Sequence, residues 1–290
     1  MSAATSRPPP PPPPEPLAPL IDAHTHLDAC GARDAGGVSA ILDRAAAVGV
    51  GAVVTIADDL DSARWVVRAA DWDDRVYAAV ALHPTRANTL TAAARTEVEG
   101  LAGHPRVVAI GETGMDLFWP GKLEGCANPA EQREAFAWHI DLAKRTGKPL
   151  MIHNRDADRE VLDILAAEGA PDTVIFHCFS SGPEMARTCS DAGWLMSLSG
   201  TVSFRNAAAL RAAAQLIPPG QLLVETDAPF LTPHPYRGAP NEPYCLPYTV
   251  RALAQLTGRP AQDVADETSA TARRVYRLDE VGRWSAAPGG

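Results

Sequence analysis

Two histidines one residue apart, His24 and His26, end the apolar run Leu20-Ile21-Asp22-Ala23. Side chains alternate along a strand, so both imidazoles project from one face. Two neutral imidazoles at a strand end make half of a metal site. Alone, the pair also fits ordinary strand-end histidines, so the remaining polar residues must decide. His83 follows the apolar run 76–82, and Glu112 follows 107–111 with Asp116 four residues on. His153 follows 149–152, His177 follows 174–176, and Glu225 and Asp227 follow 222–224. Histidine or carboxylate thus ends most of the apolar runs, and always at the same end. Taken singly, His153 or His177 reads as a buried core histidine, Glu112 as a helix cap and Asp227 as a turn residue. Their joint placement points to a metal centre.

Imidazole and carboxylate without thiolate suit zinc, manganese, iron or magnesium. His24, His26, His153 and His177 with Glu112 and Asp227 exceed what one tetrahedral ion needs, so two divalent cations are expected. Such a pair needs a bridging anion. The three lysines, Lys122, Lys144 and Lys148, end no strand, so a carboxylated lysine is not available and Glu112 is the candidate bridge. A water shared by the ions would ionise near neutral pH and become the nucleophile. Asp227 is placed to ligate one ion and to hold or accept that water's proton.

The elements that must position these groups alternate. Strands are expected over 20–24, 52–56, 76–82, 107–111, 149–153, 173–177, 194–197 and 222–225. Helices are expected over 37–48, 61–70, 129–146 and 157–168. Asp61 suits an N-cap, Pro129 a first turn and Gly147 a C-terminal stop. Eight strands with helical connections are the pattern of an α/β (β/α)8 TIM barrel, whose active site lies at the C-terminal strand ends. An open doubly wound sheet is the alternative, but the glycine-rich turn usual after its first strand is His-Thr-His here. The expected division is a proline-rich, disordered leader over 1–18, one barrel domain over 19–277 and a flexible tail over 278–290. The leader includes seven consecutive prolines, Pro8 to Pro14, expected to be extended and solvated outside the fold.

A hydrophobic content of 46% in 290 residues suits a large buried core. No apolar run approaches the roughly 20 residues of a membrane span, and no signal peptide is evident. Five scattered cysteines without a Cys-x-x-Cys pair suit reduced thiols and a cytoplasmic protein. A net charge of −9 argues against a broad basic surface for coating nucleic acid. It leaves room for a phosphodiester handled inside a metal-lined pocket. No obligate protein partner and no membrane partner are expected.

Asp22-Ala23-His24-Thr25-His26-Leu27, Ile110-Gly111-Glu112-Thr113-Gly114-Met115-Asp116, Ile152-His153-Asn154-Arg155-Asp156, His177-Cys178-Phe179-Ser180 and Glu225-Thr226-Asp227-Ala228-Pro229-Phe230-Leu231 resemble, in order, the motifs of the TatD-type metal-dependent DNases. The resemblance runs from about Leu20 to Tyr276. It implies a metal-dependent barrel hydrolase that cleaves phosphodiesters, often as a 3′-to-5′ exonuclease on DNA, with nucleic acid as substrate and Mg, Mn or Zn as cofactor. It also implies His24, His26, Glu112 and Asp227 on one ion, and Glu112, His153 and His177 on the other. Ser181 before Gly182 departs from the family's usual His-Cys-Phe-Ser/Thr-Gly run and bears on substrate fit. Rival readings are an ester-cleaving deacylase of charged tRNA, another amidohydrolase-type hydrolase, and a non-catalytic metal-binding barrel. Glu112 in place of a strand-ending lysine counts against the second, and the full ligand set counts against the last.

Outside the ligand set, Arg155 is expected to hold a phosphate oxygen, or else to pair with Asp156 or Asp158. Arg237 is expected to do the same from the last loop, or to lie in solvent. His83 should face the pocket mouth towards substrate, or cap a helix. Phe118 and Trp119 either stack on a base or cover the barrel mouth. His104 and His139 read as structural, and Cys178 as core.

Overall fold

The computed structural model describes residues 8–281. Eight parallel strands hydrogen-bond in chain order: β1 (Leu20–Thr25), β2 (Val50–Ile56), β3 (Val76–Val80), β4 (Val107–Asp116), β5 (Leu150–Arg155), β6 (Val174–Phe176), β7 (Leu195–Leu198) and β8 (Leu222–Val224). Between and after them run α1 (Ala35–Ala46), α2 (Leu60–Trp72), α3 (Ala92–Ala102), α4 (Pro129–Thr146), α5 (Asp158–Glu168), α6 (Pro183–Asp191), α7 (Ala208–Ala214), α8 (Leu246–Thr257), α9 (Ala261–Tyr276) and α10 (Leu278–Val281). This is the TIM barrel that the alternation anticipates. At the seam between β8 and β1, the Asp227 amide donates to the His24 carbonyl at 3.0 Å and the His26 amide to the Ala228 carbonyl at 2.8 Å. The buried Asp22 carboxylate reinforces that seam by accepting from the Thr226 amide at 2.9 Å and the Thr226 hydroxyl at 2.5 Å.

Alternation along the strands separates two cores. Ile21, Val54, Tyr77, Val108, Ile175 and Leu223 belong to one cluster, which fills the barrel interior. Leu20, Val53, Ala78, Ile110, Leu150 and Val224 belong to the other, which packs under the helices. In α1 the buried residues Val38, Ile41, Leu42 and Ala45 fall at the spacing of one helical stripe. Among the described residues, no helix is long and apolar enough to cross a membrane.

Helix α4 starts and stops where the sequence reading places it. Pro129 occupies the first turn, and Gly147 closes the helix in the left-handed region at φ 65°. The N-cap of α2, however, is Asp59 rather than Asp61. Asp59 accepts from the Ser62 amide at 2.9 Å while the Ser62 hydroxyl accepts from the Asp59 amide at 2.8 Å. Asp61, one turn further in, pairs with Arg64 at 2.6 Å.

Strand β4 departs most from expectation. It continues five residues beyond Gly111, paired with β5 at Gly114↔His153 and Asp116↔Arg155. Two glycines allow the approach. A Cβ at Gly111 would lie 2.4 Å from the Met151 Cβ, and one at Gly114 (φ +139°) would lie 2.2 Å from the His153 carbonyl oxygen. Glu112 therefore sits inside β4, where its register with β5 shifts between Ile110 and Thr113, rather than on a loop.

The leader also differs from expectation. Pro11 and Pro14 are buried, and the Tyr244, Tyr248 and Arg251 side chains donate to the carbonyls of Pro11, Pro12 and Glu15 at 2.8, 2.7 and 2.6 Å. A polyproline stretch has no internal hydrogen bonds, so its free carbonyls suit phenol and guanidinium donors. Successive contacts from Glu15 back to Pro11 follow α8 towards its N-terminus, so the segment straps the flank of the barrel. The tail expected from 278 likewise begins with structure, since Leu278 is buried with Tyr276 against the interior core. Tyr276 donates to the Ala23 carbonyl at 3.2 Å. The parts of the leader and tail at 1–7 and 282–290 lie outside the described residues.

Two outcomes follow. Replacing Tyr244 and Tyr248 together by Phe should lower unfolding free energy by about 1–3 kcal/mol, at roughly 1 kcal/mol per lost hydrogen bond. An unchanged urea midpoint would show that the strap contributes nothing. Gly111→Ala should cost about 1–3 kcal/mol through overpacking and should weaken metal uptake, because β4 must move away from β5. Normal uptake with lowered stability would separate the two effects.

Candidate metal centre

The barrel brings all six expected ligands to one point. The two imidazoles of β1 and its following loop meet Nε2 to Nε2 at 3.2 Å. Glu112 Oε1 lies 3.7 Å from His24 Nε2 and 3.6 Å from His26 Nε2. Asp227 Oδ1 lies at the same two distances, 3.7 and 3.6 Å. A tetrahedral site with bonds near 2.05 Å has ligand–ligand edges of about 3.3 Å, so this set is close to one ion's coordination shell. Glu112 Oε2 faces the other way. It is 3.1 Å from His153 Nδ1 and 2.5 Å from His177 Nε2, and those two nitrogens are 3.2 Å apart. One buried carboxylate, 3% exposed, thus presents an oxygen to each of two donor sets.

Each inward-facing imidazole has a partner behind it. His153 Nε2 meets Asp116 Oδ2 at 3.0 Å, and Asp116 also accepts from the Phe118 and Trp119 amides at 2.9 and 3.0 Å. His177 Nδ1 faces Glu225 Oε1 at 3.5 Å, and that oxygen accepts from the Cys178 amide at 2.7 Å. His26 Nδ1 faces Asp58 at 3.7 Å. His24 Nδ1 instead meets the Met151 thioether sulfur at 3.2 Å. A carboxylate behind a ligating histidine fixes its ring and raises its basicity. Asp116 and Glu225 lie in the sequence motifs, but their supporting role is visible only once the strands are side by side. The period of two linking Glu112 to Asp116 along an extended β4 is the signal that would have found the first.

The electrostatics suit a cation. Burial alone would raise the Glu112 pKa, but His177, His83 and His153 hold it well below the usual carboxylate range. Burial pulls His26 down, yet Asp58, Asp227 and Glu112 lift it to about 10. His177 is likewise raised, by Glu112 and Glu225 against its burial. His24 is driven down by burial and by its neighbour His177. Negative charge is thus concentrated where imidazole nitrogens converge, and the cluster holds protons where cations would bind. Behind the cluster, His177 Nδ1 and Glu225 Oε2 are buried without a hydrogen bond, while the imidazole nitrogens and carboxylate oxygens in front converge on one point. The residues fit divalent metal.

The expected substrate contacts divide. His83 caps a helix, one of the two readings considered for it, and borders the cluster. Its Nδ1 accepts from the Thr85 amide at 3.1 Å, capping a short 3-10 helix (Pro84–Thr89), and its ring lies edge-on to His153 at 4.4 Å. Burial and His153 lower its pKa to about 3, so it is neutral. Arg155 pairs with neither Asp156 nor Asp158. Its guanidinium covers the rings of Phe118 and Trp119 at 4.0 and 5.4 Å, which accounts for those half-buried aromatics at the mouth. Arg237 is exposed over the Phe204 ring at 4.7 Å and touches none of the six ligands. His139 is structural: buried and neutral, it bonds the Ala135 carbonyl at 2.7 Å and accepts from the Leu82 amide at 3.3 Å. Cys178 is not core. Strand β6 ends at Phe176, alternation stops with it, and Cys178 adopts φ 40° beside Ser199 at 3.4 Å.

The family described as TatD-related DNase matches residues 21–277. An uncharacterized metal-dependent hydrolase TatD of Mycobacterium tuberculosis is 73% identical, over 89% of this chain and 98% of its own length. A 3′-5′ ssDNA/RNA exonuclease TatD of Musicola paradisiaca is 33% identical, over 84% of this chain and 93% of its own. The crystal structure of YJJV, a TatD homolog from Escherichia coli, superposes with a TM-score of 0.81 at 27% identity, covering 89% of this chain and 98% of that one. The chain belongs to the TatD-related family of metal-dependent hydrolases.

Proposed function

We propose that this hydrolase is a two-cation phosphodiesterase acting on nucleic acid, with DNA as substrate and 3′-to-5′ exonucleolytic polarity. The observation that carries the reading is Glu112, with Oε1 among His24, His26 and Asp227 and Oε2 between His153 and His177. The Musicola paradisiaca relative, a 3′-5′ ssDNA/RNA exonuclease, supports the substrate class.

In this reading His24, His26, Glu112 and Asp227 would hold one cation, and Glu112, His153 and His177 the other. Bound Mg, Mn or Zn would supply Lewis acidity towards a phosphoryl oxygen and lower the pKa of water at the site. Asp227, whose side chain is 12% exposed at the open side of the cluster, orients the attacking water and accepts its proton. Asp116 and Glu225 hold the rings of His153 and His177 in position. Because the Nδ1 of His83 accepts from Thr85, its Nε2 carries the proton. That N–H is available to a phosphate oxygen or to the leaving alkoxide at the mouth. Arg155 flanks the same mouth with a fixed positive charge.

Glu112→Ala should abolish release of label from 3′-labelled single-stranded DNA supplied with metal. Equal cleavage by wild type and variant would overturn the proposal, as would hydrolysis of a simple ester with no cleavage of nucleic acid. Asp116→Asn should lower metal affinity about 10–100-fold without unfolding the protein. The raised pKa of His26 means that its proton stays on below about pH 10 until a cation displaces it. Metal uptake at pH 7 should therefore release protons and tighten as pH rises. Calorimetric heats that are the same in buffers of different ionisation enthalpy would contradict this.

A further inference from the structure

We propose that the rim formed after β7 and β8 is a track for several consecutive nucleotides of a polynucleotide. Phe230 is its stacking platform beside the metal centre, and an arginine-lined cavity is its seat for more distant backbone phosphates. The inference rests on the phosphodiesterase reading above and specifies the substrate as a chain of nucleotides rather than a small diester.

Phe230 lies three residues beyond Asp227 and is 54% exposed, the most exposed large apolar side chain among those described. Its ring meets His26 edge-on at 6.0 Å, so its open face borders the candidate ligands. An aromatic ring left in water beside a reaction centre is a surface on which any base can stack.

From Phe230 the rim continues without a break. The Leu231 carbonyl packs so closely on Gly200 that a Cβ there would lie 2.2 Å away. The His234 amide then donates to the Ser203 hydroxyl at 2.8 Å, binding the two segments into one surface. Beyond it opens a cavity of about 620 Å³ whose lining includes Ser203, Arg205, Arg211, His234, Tyr248 and Arg251. Arg237 lies next to it, over Phe204.

Several arginines elsewhere on the molecule are neutralised by an acid. Arg64, Arg75, Arg95, Arg145 and Arg259 each bond a carboxylate. Arg211 donates to the Phe204 and Arg205 carbonyls, and Arg251 to the Pro247 and Glu15 carbonyls. Carbonyl partners orient a guanidinium without neutralising it. Arg205 and Arg237 are exposed, and no ion pair among the described residues engages any of the four. In a chain of net charge −9, the three such charges that line the cavity, Arg205, Arg211 and Arg251, suit an anion, and Arg237 adds a fourth over Phe204. None of the six candidate ligands lines this cavity.

The test uses the protein with Mg²⁺ and fluorescent phosphorothioate oligothymidylates, from dinucleotide to dodecamer, read by anisotropy across a salt series. Wild type should bind the dodecamer more tightly than the dinucleotide. Arg205→Ala/Arg237→Ala should lose most of that gain, with the slope of log affinity against log salt shallower by about 1.4, or 0.7 per phosphate contact. Phe230→Ala should weaken binding at least about fivefold. Arg68→Ala, on the exposed face of α2, should match wild type. A double variant that keeps wild-type affinity and slope for the dodecamer overturns the track while leaving the phosphodiesterase reading intact. Wild type that binds no oligonucleotide overturns both. Wild type that binds with the expected arginine dependence but cleaves no unmodified strand supports the track and overturns the cleavage reading.

Discussion

One carboxylate facing two pairs of imidazoles is the constraint from which much of this structure follows. Burying Glu112 at the centre of a barrel is costly unless its charge is met on both sides. Meeting it requires histidines from β1 and its loop on one side, and from the ends of β5 and β6 on the other. That in turn requires β4 and β5 to lie closer than side chains normally allow, which is why Gly111 and Gly114 stand where Met151 and the His153 carbonyl press against them. The partners behind the imidazoles extend the same logic outward. Asp116, Glu225 and Asp58 carry negative charge to the far nitrogens, so the cluster accumulates negative potential that protons or metal cations must balance.

Most of the scaffold was legible in the sequence because its signals are local. The alternation of apolar runs with alanine-rich amphipathic stretches marks parallel strands buried on both faces and the helices that cover them. Helix α4 carries its punctuation in Pro129 and Gly147, so its limits were readable to the residue. The convergence of the six candidate ligands was legible for a different reason: histidine and carboxylate recur at one end of successive apolar runs, and barrel topology makes that one place in space.

What was not legible depends on neighbours distant in the chain. The extension of β4 past Glu112 needs β5 beside it, and nothing within 112–116 announces that pairing. The docking of the proline-rich segment depends on Tyr244, Tyr248 and Arg251, more than 230 residues away. Read in isolation, a run of prolines has no means of burying itself. The side chain of Cys178 was misplaced because alternation was carried beyond the last residue of β6. Asp59 replaced Asp61 as the cap of α2 because only the former has Ser62 three residues on to complete a reciprocal pair.

The barrel is also uneven around its circumference. Strands β4 and β5 span ten and six residues and carry Glu112, at a shift of their register, and His153, paired with Gly114. Strands β6, β7 and β8 span only three, four and three, and long irregular segments follow the last two. One half of the molecule is thus a rigid mould and the other a replaceable rim. Loops on a fixed scaffold tolerate change that the scaffold itself does not. Substitutions on the short-stranded side can therefore change what the rim grips while β4 and β5 keep Glu112 and His153 in place.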